Sequence, residues 1–303
     1  MNTRHDIVVI GAGVAGLSAA VEAARLGLRV CLIEELMFGG LVVNVNHLLP
    51  APPGLPASGI DLATDLMTRA ADLGVTSLFE TVTGLQTGSS LAVVATGGTH
   101  AARAVIVASG ARLRKLGVPG EAEFQERGVS HCADCDAPLY RGQDVVVVGG
   151  GDAALQEALV LSEHCARVHL IHRRASFRAR QDLVAKLRER PNILPRMETV
   201  VDELRGEDAL SRVAVHAADG SSAEIPCSGF FAYIGLAPNT SFLPEEVLRD
   251  ADGRIKVDAQ LESALQDVYA IGAVRAGYAG QLEEAMSDAR TAVLAAARRS
   301  GRD

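Results

Sequence analysis

The sequence predicts an α/β protein in which two similar strand–turn–helix–strand units each begin a parallel sheet. One unit begins at Asp6 and the other at Asp144, and both carry a glycine-rich turn directly after the first strand. Each first strand is a continuous apolar run, which is typical of a parallel strand buried on both faces. Two copies of one design are stronger support than one, because a lone glycine-rich turn is often a plain loop.

Length and composition limit the remaining possibilities. The chain has 303 residues, which suits two domains, and its 48% hydrophobic and 22% charged residues are typical of a soluble globular protein. A net charge of −8 argues against nucleic acid as the main partner, since no surplus of cations is present to neutralise phosphates. No secretory signal or membrane-spanning run is recognisable, so we expect a cytoplasmic protein that does not contact a membrane.

The first unit is predicted element by element. Asp6–Ile10 is a short β-branched run and is expected to form a strand. The run Gly11–Gly16 then opens an alanine-rich helix, Val30–Ile33 forms the next strand, and Glu34 closes it.

The second unit repeats this plan. Val145–Val148 is predicted to be a strand, Gly149–Ala154 the turn, Leu155–Ser162 part of a helix, and Val168–Ile171 the next strand.

The similarity between the two units continues beyond these segments. Residues 78–100 alternate and break at glycines, which predicts a small antiparallel meander, and Ala104–Ala108 follows as a strand. Residues 212–226 behave in the same way around an Asp-Gly turn, and Phe230–Ile234 is the matching strand. Residues 282–299 are predicted to form a helical tail with an alanine face.

The glycine spacing predicts that both units bind dinucleotides. The first glycine of such a motif makes a tight turn, the second lets the backbone approach a pyrophosphate, and the third lets helix and strand pack closely. Amide groups at the helix N-terminus then face the phosphates. The first copy has Gly11, Gly13 and Gly16, and the second has Gly149, Gly151 and Ala154, where alanine is an accepted third residue.

The residues at the ends of the second strands predict different ligands for the two units. Glu34 lies where a carboxylate accepts hydrogen bonds from a ribose 2′-hydroxyl and repels a 2′-phosphate, so the first unit suits FAD or NAD. The second unit has His172, Arg173 and Arg174 there, with Arg178 just beyond. Guanidinium groups match phosphate in geometry and charge, so this unit suits NADPH. The alternative is a solvated basic turn.

Cys132 and Cys135 form a CxxC motif about ten residues before the second glycine strand. In a cytosolic protein, next to a βαβ unit, this spacing predicts a redox-active dithiol or disulfide. Half a zinc site is the main alternative, with His131, Cys165 and Cys227 as further ligands. Inert buried cysteines are another, and packing as small hydrophobic residues is expected for Cys31, Cys165 and Cys227.

Asp136 directly follows the motif. It could donate or accept protons, although on its own a helix cap or a turn residue is the commoner role.

These features together resemble the low-molecular-weight thioredoxin reductases over nearly the whole chain. The matching blocks are IGAGVAGLSAA, FGG at 38–40, VIVASGARLRKLGVPGE, GVSHCADCDAPLYRGQDVVVVGGGDAALQEAL, VHLIHRRASFRA and FFAYIGLAPNT. The CxxCD block, the second glycine motif and HRRxxFR, in this order and spacing, are specific to that family and its close relatives.

The resemblance implies two Rossmann-like domains of three-layer ββα form. A discontinuous FAD domain would cover 1–113 and 241–303, and an NADPH domain carrying the cysteines would cover 114–240. It also implies a homodimer in which the NADPH domain rotates, so that either the nicotinamide or the cysteine pair faces the flavin. Electrons would pass from NADPH through FAD to the disulfide. Cys135 would face the flavin, Cys132 would attack the outside disulfide, and Asp136 would handle protons.

Position by position, the resemblance implies two sets of cofactor contacts. The FAD contacts are Gly11, Gly13, Ala15, Gly16, Glu34, Gly40, Leu41, Val82, Gly110, Gly272 and Ala273. The NADPH contacts are Gly149, Gly151, Asp152, Ala153, Ala154, His172, Arg173, Arg174, Arg178 and Gly235. No metal site is predicted.

The chain departs from the family pattern around the flavin. Leu41 replaces the glutamine of Gly-Gly-Gln, and the threonine-rich stretch after it is Val-Val-Asn-Val. Ala273 replaces the aspartate that holds the ribityl chain, Gly-Gln-Leu at 280–282 replaces Arg-Gln-Ala, and Met-Ser-Asp-Ala at 286–289 replaces Ala-Gly-x-Gly. Since one lost charge-assisted hydrogen bond costs about 1.5–3 kcal/mol, we expect FAD to bind more weakly or with a shifted potential.

Three functions are therefore weighed. The first is an NADPH-dependent reductase of thioredoxin or a similar small redox protein. The second is a flavoenzyme acting on a small dithiol or disulfide, as a reductase or as an oxidase that passes electrons to oxygen. The third is a redox- or nucleotide-sensing protein without productive flavin binding, which the alanine at position 273 motivates.

Overall fold

The computed structural model describes residues 5–46, 48, 54–88 and 90–299. The chain forms two compact units, one of Met1–Arg112 with Ala237–Asp303 and one of Leu113–Leu236. The second unit is thus inserted into the first, as expected for the predicted fold class. The first boundary falls one residue earlier than predicted and the second four residues earlier.

The helices and turns of the described residues follow in chain order. The α-helices are α1 (Val14–Arg25), α2 (Gly59–Asp72), α3 (Ala133–Asp136), α4 (Asp152–Ser162), α5 (Gln181–Arg188) and α6 (Leu282–Arg299). Single 3₁₀ turns cover Gly40–Asn44, Ala137–Tyr140 and Gly272–Val274. No described helix combines the length and hydropathy that crossing a bilayer requires.

The strands alternate with these helices. They are β1 (His5–Ile10), β2 (Val30–Glu34), β3 (Thr76–Phe79), β4 (Val82–Gln86), β5 (Leu91–Ala95), β6 (Gly98–Val107), β7 (Ala111–Leu113), β8 (Val129–Ser130), β9 (Asp144–Gly149), β10 (Arg167–Ile171), β11 (Ile193–Arg196), β12 (Thr199–Gly206), β13 (Leu210–Ala217), β14 (Ser222–Pro226), β15 (Gly229–Tyr233), β16 (Leu236–Pro238) and β17 (Val268–Ala270).

The first unit is built on a mixed sheet of order β3-β2-β1-β6-β5-β4, with β17 paired to β6. Strand β1 lies parallel to β2 and to β6, and its residues from Ile7 to Ile10 are buried. This burial on both faces explains why β1 shows no polar alternation. The predicted helical tail is confirmed as α6, and its alanine face packs on α1 in one hydrophobic core.

The meander of the first unit differs in detail from the prediction. Residues 76–79 form the parallel strand β3, and the antiparallel part is β4-β5-β6. Strand β6 runs without a break from Gly98 to Val107, pairing with β5 in its first half and with β1 in its second. One strand therefore joins the meander to the parallel sheet, where the sequence suggested two separate elements.

The second unit has a parallel five-stranded sheet of order β11-β10-β9-β15-β8 and a separate antiparallel sheet, β12-β13-β14. Strand β9 is buried from Val145 to Gly149, and α4 packs on it through Ala154, Leu155 and Ala158. The predicted hairpin at 212–226 is confirmed as β13-β14. The third strand of that sheet, β12, is an element that the sequence pattern did not indicate.

Candidate active site

The first glycine turn lies between β1 and α1 and has the geometry that the motif predicts. Gly11 has φ +98°, and a Cβ added there would lie 2.5 Å from the carbonyl oxygen of Ala108. A Cβ on Gly16 would overlap the carbonyl oxygen of Gly11. At Gly13 the nearest atom to an added Cβ is 3.9 Å away, so the space above this amide is open for a ligand.

Glu34 lies at the end of β2, directly beside this turn. Its Oε2 accepts a hydrogen bond from the Ala12 amide at 2.7 Å, and its Oε1 accepts one from the Glu35 amide at 2.9 Å. The carboxylate is therefore held in place while its remaining lone pairs can accept from ribose hydroxyls. Beside it is a mainly apolar pocket whose lining includes Leu32, Phe38, Met67 and Phe79.

The segment that contains Gly40 and Leu41 reaches the same turn. The Gly39 amide donates to the carbonyl oxygen of Ala12 at 2.7 Å. Gly40 has φ +60°, and an added Cβ would lie 3.4 Å from the Cα of Gly13. Leu41 is the second residue of the 3₁₀ turn Gly40–Asn44 and has 42% of its surface exposed, so it presents an apolar face where the family has a glutamine amide.

Gly272 and Ala273 reach α1 from the far end of the chain. An added Cβ on Gly272 would lie 2.9 Å from the Cβ of Ala15, which brings this loop to the first turn of α1. The described structure thus groups Gly11, Gly13, Ala15, Gly16, Glu34, Gly40 and Gly272 around one helix N-terminus.

A buried ion pair supports the loop behind Ala273. Asp288 on α6 accepts from the Gly272 amide at 3.0 Å and from Arg275 Nε at 2.6 Å and Nη2 at 2.8 Å. Arg275 also donates to Glu284 at 2.7 Å. In the sequence, Asp288 is only part of a departure from the family pattern. Nothing in that pattern indicates that its carboxylate anchors the 272–274 turn.

Val82 and Gly110 lie at the margins of this group. Val82 begins β4 directly after Thr81, whose hydroxyl donates to Glu35 at 3.3 Å, and this brings it toward the end of β2. Gly110 has φ +62° and follows Ser109, which donates to the Asn239 carbonyl oxygen at 2.7 Å.

The second glycine turn lies between β9 and α4 and repeats the geometry of the first. Gly149 has φ +152°, and an added Cβ would lie 2.5 Å from the carbonyl oxygen of Tyr233 and 2.6 Å from the Cβ of Ala154. No atom lies within 4 Å of an added Cβ on Gly151, so the approach to this amide is open. Ala153 in the first turn of α4 is exposed.

Two more predicted NADPH contacts have defined places near this turn. Asp152 begins α4, and its Oδ1 accepts from the Arg180 amide at 2.8 Å. Gly235 follows β15 with φ +112°, and its carbonyl oxygen accepts from the Arg114 amide at 2.9 Å.

The basic cluster divides into a buried histidine and exposed arginines. The His172 ring packs on Gly150, its Nε2 lies 3.1 Å from the Ser176 carbonyl oxygen, and burial lowers its pKa. Arg173, Arg174 and Arg178 are exposed, and none forms an ion pair with another described residue. The arginines therefore offer free guanidinium groups, while His172 shapes the loop that carries them.

Cys132 and Cys135 are joined in a disulfide, with 5.3 Å between their Cα atoms. Cys132 caps the short helix α3, and its Sγ accepts from the Cys135 amide at 3.1 Å. Cys135 is exposed and Cys132 is half-buried. The amide that faces the Cys132 sulfur stabilises negative charge there, so reduction favours a thiolate at this position.

Asp136 is held beside the pair by Ser130. The Ser130 hydroxyl donates to Asp136 Oδ2 at 2.6 Å, and the Cys132 amide donates to that hydroxyl oxygen at 3.2 Å. The Asp136 amide donates to the carbonyl oxygen of Cys132 at 3.1 Å, so it also belongs to the turn.

The other cysteines are buried thiols. Burial is the main cause that raises their pKa values, to about 12 for Cys31, about 11 for Cys165 and about 12 for Cys227. These thiols stay protonated at neutral pH, as expected for small packed residues.

Known proteins are similar to this chain both in sequence and in fold. The sequence profile of the family described as pyridine nucleotide-disulphide oxidoreductase covers residues 5–296. The thioredoxin reductase of Treponema pallidum is 39% identical over 98% of this chain and 97% of its own. The thioredoxin reductase structure from Lactococcus lactis superposes with a TM-score of 0.91, at 31% identity, over 97% of this chain and 98% of that chain. The T. acidophilum thioredoxin reductase gives 0.90, at 30% identity, over 98% and 99%.

Two Rossmann-like units with a disulfide in the inserted one define an NADPH-dependent, FAD-containing disulfide oxidoreductase. The chain belongs to the pyridine nucleotide-disulphide oxidoreductase family, and within it to the low-molecular-weight thioredoxin reductases.

Proposed function

We propose that this protein reduces the disulfide of thioredoxin, or of a thioredoxin-like protein, with electrons from NADPH. The observation that carries the proposal is the Cys132–Cys135 disulfide at the start of a short helix, in a chain whose full-length relatives are named thioredoxin reductase. When bound, FAD would supply the two-electron chemistry that connects a nicotinamide to this disulfide.

The first unit fits the ADP half of FAD. Gly11 and Gly16 make the close turn, the open amide face at Gly13 suits the pyrophosphate, and Glu34 suits a ribose. The fit is poorer toward the ribityl chain, because Ala273 offers no carboxylate and Asp288 is already bound by Arg275. We therefore place FAD in this unit, with most of its affinity in the ADP half.

The inserted unit fits NADPH. Gly149 and Gly151 form the turn for the pyrophosphate, and the exposed Arg173, Arg174 and Arg178 are placed to bind the 2′-phosphate. We assign the cofactors to the two structural units on this basis: FAD to Met1–Arg112 with Ala237–Asp303, and NADPH to Leu113–Leu236.

The residues around the disulfide suggest different roles for Cys132, Cys135 and Asp136. Once the pair is reduced, the Cys135 amide stabilises a thiolate on Cys132, so Cys132 is proposed to attack the acceptor disulfide. Cys135 is proposed to exchange electrons with the flavin and to resolve the mixed disulfide. Asp136, oriented by Ser130, is proposed to deliver and accept the thiol protons.

The assembly and the compartment are proposed from the same relationship. We infer a homodimer acting in the cytoplasm on a small protein disulfide. Size-exclusion chromatography with light scattering tests the dimer, for which about twice the 31.7 kDa mass of one chain is expected.

The activity is tested with purified protein, NADPH, added FAD and thioredoxin, with an aromatic disulfide as the final acceptor. We expect NADPH oxidation that depends on thioredoxin, and its loss in Cys132→Ser and Cys135→Ser. Cys165→Ala, which removes a buried thiol outside this pair, is the control that keeps the rate. Full-rate thioredoxin reduction by the Cys132→Ser protein would contradict the proposal. Oxygen consumption with dithiols in the absence of NADPH would favour a dithiol oxidase instead.

A further inference from the structure

Glu157 is a half-buried acid beside α3, the short helix that Cys132 caps and that contains Cys135. It lies on α4, which packs against α3, and its Oε2 is buried without a hydrogen-bond partner among the described residues. The groups that stabilise its charge are the Tyr233 hydroxyl and the amides of Ala133 and Asp134, the two residues between the cysteines. Tyr233 in turn accepts from the Ala133 amide at 3.2 Å. The carboxyl is thus linked to the inside of the CxxC turn.

Packing alone does not explain an acid at this position. The neighbouring residues Ala154, Leu155, Ala158 and Leu161 are fully buried and apolar. A buried carboxyl without a full set of partners costs free energy, so its presence needs a reason beyond filling space.

We propose that Glu157 is a positioning residue whose charge is coupled to the oxidation state of the Cys132–Cys135 pair. The inference rests on the proposed function only in taking this pair as the redox centre. Through Tyr233 and the two amides, Glu157 sets the geometry and the electrostatic potential of the turn that carries both sulfurs.

The coupling follows from charge balance. Reduction breaks the S–S bond, consumes two electrons and one proton, and leaves one thiol and one thiolate. The new negative charge lies in the turn whose amides already face Glu157, so Glu157 takes up a proton from solvent in those molecules in which it is still ionised. When the thiolate attacks an acceptor disulfide, this charge leaves and Glu157 releases its proton.

The surrounding groups keep the pKa of Glu157 within the physiological pH range. Burial, together with the nearby Asp134 on α3, raises the pKa of Glu157 to about 7. The amides of Ala133 and Asp134 and the Tyr233 hydroxyl on β15 oppose that rise.

The test uses the full-length reduced protein with Cys135→Ser, so that Cys132 is the reporting thiol. Iodoacetamide labelling of Cys132 is followed by peptide mass spectrometry from pH 5 to 9. We expect two titration steps with Glu157 present and one step after Glu157→Gln, with labelling at pH 7 about threefold faster or more. Gln156→Ala, at the exposed neighbouring position, is the matched control and should keep two steps.

If Glu157 has only a structural role, Glu157→Gln changes the labelling rate of Cys132 by the same factor at every pH. Labelling profiles of the same shape with and without Glu157→Gln would therefore contradict the coupling. Infrared difference spectra of the wild-type protein, oxidised against reduced at pH 7, give a second readout that needs no variant. A protonated-carboxyl band should appear on reduction, and its absence overturns the proposal. Neither measurement uses NADPH or thioredoxin, so both can fail while turnover persists.

A second, independent inference concerns the start of β1, which is the end of this strand away from the first glycine turn. One ligand atom each from His5, Cys31 and His100 lies within 4.8 Å of the others, and His100 Nε2 lies 2.8 Å from Glu80 Oε2. His5 begins β1, Cys31 is the second residue of β2, Glu80 directly follows β3, and His100 lies in the half of β6 that pairs with β5. Cys31 is fully buried, and His5 and His100 are half-buried.

The geometry points to a zinc site whose protein ligands are His5, Cys31 and His100. Two imidazoles and a thiolate are ligands that zinc accepts, and Glu80, whose Oε2 lies 2.8 Å from His100 Nε2, would orient that ring. Binding would form a Zn–S bond and release the Cys31 thiol proton to solvent. Because His5 and Gly11 stand at opposite ends of β1, this site is separate from the first glycine turn.

The test uses full-length protein carrying Cys132→Ser and Cys135→Ser, because two free thiols are themselves ligands for zinc and would confuse the count. After metal removal, one Zn²⁺ per chain is expected to be retained against a chromophoric chelator and to raise the Tm. Cys31→Ser should lose both effects, and Cys227→Ser should keep both. Absence of retained zinc, or equal retention after Cys31→Ser, overturns the site.

Discussion

Replacing Asp288 by alanine should destabilise the loop that carries Gly272 and Ala273. The side chain of Asp288 is 7% exposed and that of Arg275 is 11% exposed, so the change leaves a buried guanidinium without its two-point partner. It also removes the acceptor of the Gly272 amide. Breaking a buried ion pair from one side costs about 3–5 kcal/mol.

The contact between Arg275 and Glu284 at 2.7 Å persists and offsets part of that loss, so the lower end, about 3 kcal/mol, is expected. For a unit of this size that corresponds to a Tm roughly 6–12 °C lower. Thermal unfolding of the full-length protein at pH 7, with and without added FAD, measures it. Glu22→Ala is the control, because it removes an exposed ion pair with Arg25 that is worth about 1 kcal/mol or less.

An Asp288→Ala protein that melts within about 2 °C of the wild-type protein would show that this ion pair does not hold the loop, since a shift that small corresponds to about 1 kcal/mol or less. A paired replacement sharpens the result. Arg275→Met combined with Asp288→Leu should recover part of the lost stability, because it removes the unpaired buried guanidinium. The recovery stays incomplete, because Glu284 loses Arg275 and the Gly272 amide still lacks its acceptor.

Four further outcomes are expected. Gly11→Ala should weaken FAD binding at least tenfold in a fluorescence titration, because its Cβ would lie 2.5 Å from a backbone oxygen, whereas Gly27→Ala, with open space around it, should leave FAD affinity unchanged. Ala273→Asp should tighten FAD about ten- to a hundredfold, and an unchanged Kd would show that this position does not face the ribityl chain. Arg174→Ala should raise KM for NADPH and leave KM for NADH unaltered, and equal effects on both would remove its role at the 2′-phosphate. Burial raises the pKa of Glu157 from 4.5 to about 7, so the folded protein favours the protonated carboxyl. Its contribution to the free energy of unfolding is complete below pH 4.5, and about 3 kcal/mol is lost as the pH rises through 7. Denaturant unfolding from pH 4.5 to 8 should show that loss in the wild-type protein and not in Glu157→Gln.

The parts of the fold that depend on local pattern were predictable. The runs Asp6–Ile10 and Val145–Val148 are apolar throughout, and the glycines after them sit where a tight turn and a close helix approach leave no room for a side chain. The redox pair was predictable for the same reason, since its two-residue spacing is itself the constraint that lets the sulfurs meet.

The parts that depend on distant contacts were not predictable. The continuity of β6 arises because its two halves pair with different neighbours, β5 and β1, and a local alternation cannot reveal that. The burial of His172 against Gly150 is a contact between two strand ends. Glu157 is one charged residue in a helix, and only the packing of α3 on α4 shows that it faces the amides of Ala133 and Asp134 between the cysteines.

Two of the departures from the family pattern, Ala273 and Asp288, lie together in the fold. In the sequence they are two separate changes. In the fold they meet, because the Asp288 carboxylate holds the Gly272 amide and Arg275 directly beside Ala273. The acid near this loop is therefore used to hold the protein backbone, and the ribityl chain has no carboxylate to contact at position 273. We therefore expect FAD affinity to depend mainly on Glu34 and the first glycine turn, and we expect the residues around the ADP half to be the least tolerant of substitution.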